Sequence, residues 1–180
     1  YLFNLLSMGD DIKKNIAEFY FSKKLYPQAI ELFAELEKEG DFSAGLYQKM
    51  GYAYQQNSQL LLALEAYKKA DLIKPDDFWT NRKIALCYRL MGDAENALKT
   101  YRHCDYIKPG NLSIQLQTVN CLSELNRHDE ALKELTKLNN DYGDNIKLLR
   151  ATTTTAFKAG NMAQSEYFAS LLIENSECTG

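Results

Sequence analysis

From residue 44 to residue 77 the apolar and small side chains fall into two helical registers with a break between them. Tyr47, Met50, Gly51 and Tyr54 follow the i, i+3, i+4, i+7 rule, and Leu60, Ala63, Leu64 and Tyr67 repeat it, which predicts two amphipathic helices joined by a turn. The pattern returns at a fixed offset. Gly51, Tyr52, Ala53 and Tyr54 correspond to Ala85, Leu86, Cys87 and Tyr88; Ala63, Tyr67 and Ala70 correspond to Ala97, Tyr101 and Cys104; "IKPDD" at 73–77 corresponds to "IKPGN" at 107–111. The offset is 34 residues in every case, and a fixed period of this size marks a repeat architecture. Extending the frame divides the chain into five helical hairpins at 10–43, 44–77, 78–111, 112–145 and 146–179. Residues 1–9 read as the tail of a preceding helix or repeat.

The breaks carry their own chemistry. Gly92, Asn126 and Gly160 share one position, where a residue tolerant of left-handed φ ends the first helix of a unit; Ser58 stands there in the second unit with a weaker preference. Asp93 and Asn161 come next as candidate N-caps. Pro75 and Pro109 separate one hairpin from the next, with Asp76, Asp77 or Asn111 available to cap the helix that begins the new unit. Pro27 suits the first turn of a second helix, where its missing N–H costs little. Gly51 is the exception, because it sits inside a helix, where glycine costs roughly 1 kcal/mol against alanine. A close approach to its backbone is therefore expected, at the contact of stacked hairpins where Ala85, Ala29, Ala63, Ala97 and Ala131 also lie.

These residues resemble the tetratricopeptide repeat (TPR), whose unit carries an aromatic, Leu, Gly or Ala, and Tyr in its first helix, then Ala, an aromatic and Ala in its second, closed by Pro. The second unit is similar throughout, with Tyr47, Met50, Gly51, Tyr54, Ala63, Tyr67, Ala70 and Pro75. The third matches with Ile84, Ala85, Tyr88, Ala97, Tyr101, Cys104 and Pro109, although its aromatic Trp79 comes two places early. The first unit lacks the proline, the fourth has Val119 at the small position and Gly143 for proline, and the fifth departs most. In that unit "TTTT" (152–155) falls on the first helix and Ser165 replaces alanine. The resemblance covers residues 10–179 and implies an all-α fold, a right-handed superhelical solenoid of stacked antiparallel helix hairpins. It also implies a non-catalytic protein-interaction scaffold that takes a peptide or protein segment in a concave groove lined by the first helices.

Carried over to this sequence, the groove positions include Phe21, Ser22, Gln48, Tyr52, Gln55, Trp79, Arg82, Arg89, Leu116, Asn120, Lys147, Arg150, Phe157 and Lys158. The first unit contributes Asp11 and Glu18 against Lys14, whereas the third and fifth contribute only cations. Arginine among aromatics is the composition enriched at energetically important interface sites, and guanidinium pairs bidentately with carboxylate. The expected ligand is a segment with acidic and apolar side chains. Two plainer readings stand beside this one: lysine and arginine on a helix are often simply solvated, and Trp79 also suits packing at the junction with the second unit. The chaperone clamp known for the family needs Lys and Asn one turn apart, a second Asn, then a cationic pair. Here Lys14 with Glu18, Lys49, and Trp79 with Lys83 stand at those places, so that particular ligand is excluded.

Composition narrows the remaining classes. With 46% apolar and 25% charged residues the chain has the balance of a folded globular protein. A net charge of −3 and a pI near 5.5 disfavour nucleic acid as a partner. The longest apolar run, "LLLAL" (60–64), is far too short to span a membrane. Cys87 and Cys121 fall at one repeat position suited to a small core residue; neither they, Cys104, Cys178, His103 nor His128 has metal-ligand spacing. No nucleophile, base and orienter set and no phosphate loop is present, so neither catalysis nor a cofactor is expected. The carboxylates keep helix-surface spacing, as in Glu65 to Lys69.

Two alternatives remain at this level: an array that regulates an enzyme or sensor domain of a larger chain, and, less favoured, an RNA-binding helical repeat. No leader peptide is legible at "YLFNLLSMGD", which reads as an excised piece with any targeting sequence upstream; a cytoplasmic setting is favoured for the segment itself. Neither end carries a polar capping helix, which predicts self-association through the ends.

Overall fold

The computed structural model describes the backbone of residues 2–143 and 145–177, and side chains for 12–143 and 145–175. These residues form ten α-helices and no strand, grouped in two compact units that divide between Asp93 and Ala94. The first unit holds α1 (Leu2–Ser22), α2 (Tyr26–Lys38), α3 (Ala44–Gln56), α4 (Leu60–Ile73) and α5 (Phe78–Leu90). The second holds α6 (Ala94–Ile107), α7 (Leu112–Glu124), α8 (His128–Tyr142), α9 (Ile146–Lys158) and α10 (Met162–Glu177). Inside each unit every helix packs on the next in chain order, giving the all-α helix hairpins expected from the repeat. Residues 2–9 continue α1 without a break.

The 34-residue register holds down to single hydrogen bonds. Helices α3, α5, α7 and α9 begin at 44, 78, 112 and 146, and each is 13 residues long. Lys24, Ser58, Gly92, Asn126 and Gly160, one per repeat, all have positive φ between 58° and 80°. Each closes the same pair of bonds, shown by Leu25 N–H donating to Tyr20 O at 2.9 Å and Lys24 N–H to Phe21 O at 3.0 Å. This is a Schellman turn, which satisfies carbonyls at the end of the first helix and reverses the chain into the second. At the next corner Ser43, Asp77, Asn111 and Asn145 stand 34 apart, and each side chain accepts from a backbone N–H in the first turn of the adjoining helix. Asp77 and Asn111 were among the expected caps. Asp76 instead has φ +59° and turns the chain. Asn161 caps the start of α10 by accepting from Gln164 N–H at 3.1 Å, and Pro27 lies in the first turn of α2 as expected.

The core of the first unit explains Gly51. A Cβ added there would lie 2.7 Å from Cδ1 and Cε1 of Tyr67, a ring that is fully buried. The close approach is therefore the face of Tyr67 from the same hairpin laid on the α3 backbone, where contact with a stacked neighbour was expected. The ring is held at both ends: its hydroxyl donates to Gln55 Oε1 at 3.2 Å, and Trp79 meets it edge-on with centroids 5.7 Å apart. Burial pushes the phenol far above its ordinary pKa. Full burial of a side chain of this size contributes roughly 1.5–3 kcal/mol.

The position of Cys87 and Cys121 is held by Ala53 and Thr155 in other repeats, and all four are buried. Cys104 is buried too, and none of the three forms a disulfide among the described residues. Burial pushes the Cys87 thiol up to about 11, which keeps it protonated and unreactive, as a small core residue should be. Cys178 lies outside the described residues.

Polar links across neighbouring helices also recur. Tyr47 Oη donates to Glu37 at 2.9 Å, and 34 residues on Asn81 Nδ2 donates to Asp71 at 2.7 Å. The Lys69 ammonium pairs with Glu37 of α2 at 2.7 Å and lies over the Tyr47 ring, while Glu65, four residues before it, adds the electrostatic support expected from the spacing. The Lys69 hydrogen bond is the main cause that holds the Glu37 carboxyl below its ordinary range. In α9 the threonine run is accommodated because Thr152, Thr153 and Thr154 each donate to the carbonyl four residues back, at 2.8–2.9 Å.

Candidate functional site

The first unit carries a recess of about 510 Å3 walled mainly by Phe21 of α1, Tyr26 of α2, Gln48, Lys49 and Tyr52 of α3, and Trp79 of α5. Its aromatic wall is a linked set of edge-to-face contacts. Phe21 lies 5.6 Å from Tyr52 and 6.0 Å from Tyr26, and Tyr26 lies 6.1 Å from Tyr52. Burial first, then the neighbouring Tyr52 phenol, raises Tyr26 above its ordinary pKa. Lys83 reaches over the Tyr52 ring at 4.9 Å and the Trp79 ring at 5.4 Å, a cation–π pair that stiffens this wall. Burial, with Arg82 next to it, lowers the Lys83 ammonium below its ordinary value. Gln48 Nε2 donates to Thr80 Oγ1 at 2.8 Å and Asp77 at 3.2 Å, and Lys49 pairs with Glu18. Lys14 pairs with Asp41 at 3.3 Å, so Lys14 and Glu18 each have a partner within the unit.

The second unit carries a cleft of about 630 Å3 with a different lining. Asn120 and Ser123 of α7 face Lys147, Arg150, Thr154 and Lys158 of α9, and among the described residues no carboxylate lines it. The acids seen in ion pairs of this unit are engaged elsewhere: Glu130 with Arg127 at 2.7 Å and Arg102 at 3.8 Å, Glu95 with Arg127 at 3.8 Å. Among the described residues Lys147, Arg150 and Lys158 form no ion pair.

Of the side chains named from sequence, Phe21, Ser22, Gln48, Tyr52 and Trp79 line the recess and Asn120, Lys147, Arg150 and Lys158 line the cleft. Arg82, Arg89, Leu116 and Phe157 line neither; Phe157 is 62% exposed. Gln55 is turned to the Tyr67 hydroxyl and serves the core. Trp79 does both things weighed for it, packing on Tyr67 while remaining 40% exposed at the recess. Sequence reasoning missed Tyr26, and it weighed Lys49 and Lys83 only as places of the chaperone clamp. Tyr26 stands at the start of a second helix, outside the positions expected to face the groove, and no offset of 34 relates it to Tyr52.

Among the described residues no group of His, Cys, Asp and Glu could hold a metal ion, and no helix is long and apolar enough to cross a membrane. His103 stacks on Tyr106 within α6, and His128 opens α8.

A family model of the tetratricopeptide repeat matches residues 44–77 and 83–111. Residues 44–77 and 83–111 are tetratricopeptide repeats. The matched spans are the two TPR units whose Gly51 or Ala85, Tyr67 or Tyr101 and closing proline are most complete. No curated protein sequence matches the chain. Solved structures share the TPR-like fold at low identity. A crystal structure of MamA aligns with a TM-score of 0.80 at 13% identity, covering 93% of this chain and 92% of that one. MamA from Desulfovibrio magneticus RS-1 gives 0.77 at 11%, covering 94% and 96%, and the structure titled MamA MSR-1 C2 gives 0.76 at 15%, covering 96% and 99%.

Proposed function

We propose that the chain is a non-catalytic protein-interaction scaffold that takes peptide or protein segments bearing acidic and apolar side chains on the first-helix faces of its repeats. TPR arrays use surfaces of this kind because each unit contacts mainly its neighbours, leaving one helix face free for a ligand. The observation that carries the reading is the aromatic recess of the first unit. Tyr52 and Trp79 there keep part of their ring surface open although the core gains from covering it. Rigid aromatics presented at a recess are the side chains that anchor interfaces. An array of synthetic peptides combining Leu or Phe with Asp or Glu tests this. Binders are expected to lose about tenfold or more in affinity for the Tyr52→Ala/Trp79→Ala variant, consistent with hot-spot truncation. Unchanged affinity, with circular dichroism showing an intact fold, would remove the recess from the ligand path.

A second reading, self-association through the ends, has its own support. Ile12, Ile16 and Phe19 of α1 are 57%, 43% and 55% exposed, whereas the residues 34 positions on, Leu46, Met50 and Ala53, are buried. The same three positions are buried again as Thr80, Ile84 and Cys87, and as Leu148, Thr152 and Thr155. The α1 face thus offers the contact that another helix covers in later repeats. Sedimentation velocity is expected to show concentration-dependent dimer, suppressed by Ile16→Lys/Phe19→Lys; a strict monomer at high concentration would refute it.

A further inference from the structure

The α9 face of the second unit is a ladder of cations with a fixed spacing. Lys147, Arg150, Thr154 and Lys158 are separated by three, four and four residues, which puts them within about 80° of arc at 3.6 residues per turn. Arg150 and Lys158 are eight residues apart, about 12 Å along the axis. All three cations are exposed and none forms an ion pair among the described residues, so their charge is available to a ligand. The opposite wall presents amide and hydroxyl groups, Asn120 and Ser123.

We propose that this cleft binds an extended acidic peptide segment, reading two carboxylates four residues apart by pairing them with Arg150 and Lys158. In an extended chain, residues i and i+4 lie on one face about 13 Å apart, which matches the separation of the two rungs. An extended backbone also brings unpaired N–H and C=O groups, and Asn120 and Ser123 stand ready to bond them; a helical ligand would have satisfied those groups internally. Arg150 favours carboxylate because its guanidinium fork donates to both oxygens of one group. The inference rests on the scaffold reading above and names the ligand chemistry of its second unit.

Three synthetic peptides of equal length test it by fluorescence anisotropy: one with Glu at i and i+4, one with the same composition but Glu at i and i+3, and one with Gln at both places. The i, i+4 peptide is expected to bind at least about tenfold more tightly than the Gln peptide, severalfold more tightly than the i, i+3 peptide, and less tightly as salt rises. Arg150→Glu/Lys158→Glu is expected to abolish the preference; both residues are exposed, so the fold should survive. Equal binding of Glu and Gln peptides, or full binding by the double variant, would overturn the proposal. Indifference to Glu spacing would overturn the extended register. Tighter binding of an oligouridine, with displacement of the peptide, would assign the cleft to nucleic acid instead. The Tyr52→Ala/Trp79→Ala assay reads the other unit, so failure of the ladder leaves the scaffold reading standing and is distinguishable from failure of that reading.

Discussion

Gly51→Leu is expected to destabilise the protein by about 1–3 kcal/mol or more, as over-packing of a closed core does. At this chain length that corresponds to a fall in melting temperature of roughly 2–12 °C. The cause is the Tyr67 ring, whose carbons would sit 2.7 Å from the first side-chain atom added. The ring has no easy retreat: it is fully buried, its hydroxyl is bonded to Gln55 and Trp79 lies against its edge. Gly51→Ala is the sharper experiment, because helix propensity alone would stabilise that variant by roughly 1 kcal/mol. Net destabilisation by Ala means the contact with the ring outweighs the gain in propensity. Ala63→Leu, at another fully buried small position, should behave like Gly51→Leu. Thermal unfolding monitored by far-UV circular dichroism decides the matter, and melting temperatures equal to that of the parent would show that Tyr67 yields freely.

Asp77→Ala is expected to cost about 2 kcal/mol, the upper end of what loss of an N-cap costs. Asp77 does more than the other caps. Its carboxylate accepts from Thr80 N–H at 3.0 Å and Thr80 Oγ1 at 2.8 Å, and it also receives Gln48 Nε2 at 3.2 Å and Lys74 Nζ at 3.0 Å. Burial works to raise its pKa, but the Lys74 and Thr80 donors together win and hold it below the ordinary aspartate value. A depressed folded pKa contributes stability that is present above the unfolded value and lost as pH falls through the folded one. The difference in stability between Asp77 and Asp77→Ala should therefore narrow on acidification below about pH 4. Ser43→Ala, Asn111→Ala and Asn145→Ala, which lose fewer partners, should each cost less. A ranking in which Asp77→Ala is no worse than these would show that the extra bonds are replaced by water at no cost. Chemical denaturation of the four variants at neutral and acid pH makes the comparison.

The helices were legible because their signals repeat. Gly92, Asn126 and Gly160 announced the left-handed turn, and Asp77 and Asn111 announced caps. Lys24 takes the same φ with a residue that carries no such preference, so only the register identifies it. Ser43 and Asn145 escaped notice as caps for the opposite reason: serine and asparagine are common in loops, and each became informative once placed 34 residues from Asp77 or Asn111. The sites were less legible. Helix position located Tyr52, Trp79, Asn120, Arg150 and Lys158, but position does not say which way a long polar side chain turns, and Gln55 turned inward to a phenol. Lys69 had two carboxylates within reach, and its ammonium bonds the one on another helix while lying over the Tyr47 ring. Tyr26 joined the recess through the fold alone.

The shared register of the Schellman turns and caps constrains how such a chain can change in length. Losing one residue from a first helix would rotate everything beyond it by about 100°, turning the face that meets its neighbour toward solvent. Duplicating or deleting a complete hairpin would leave every cap and every Gly51-like seat where its partner expects it. Growth of this molecule is therefore quantised, and its natural mutational step is the module rather than the amino acid.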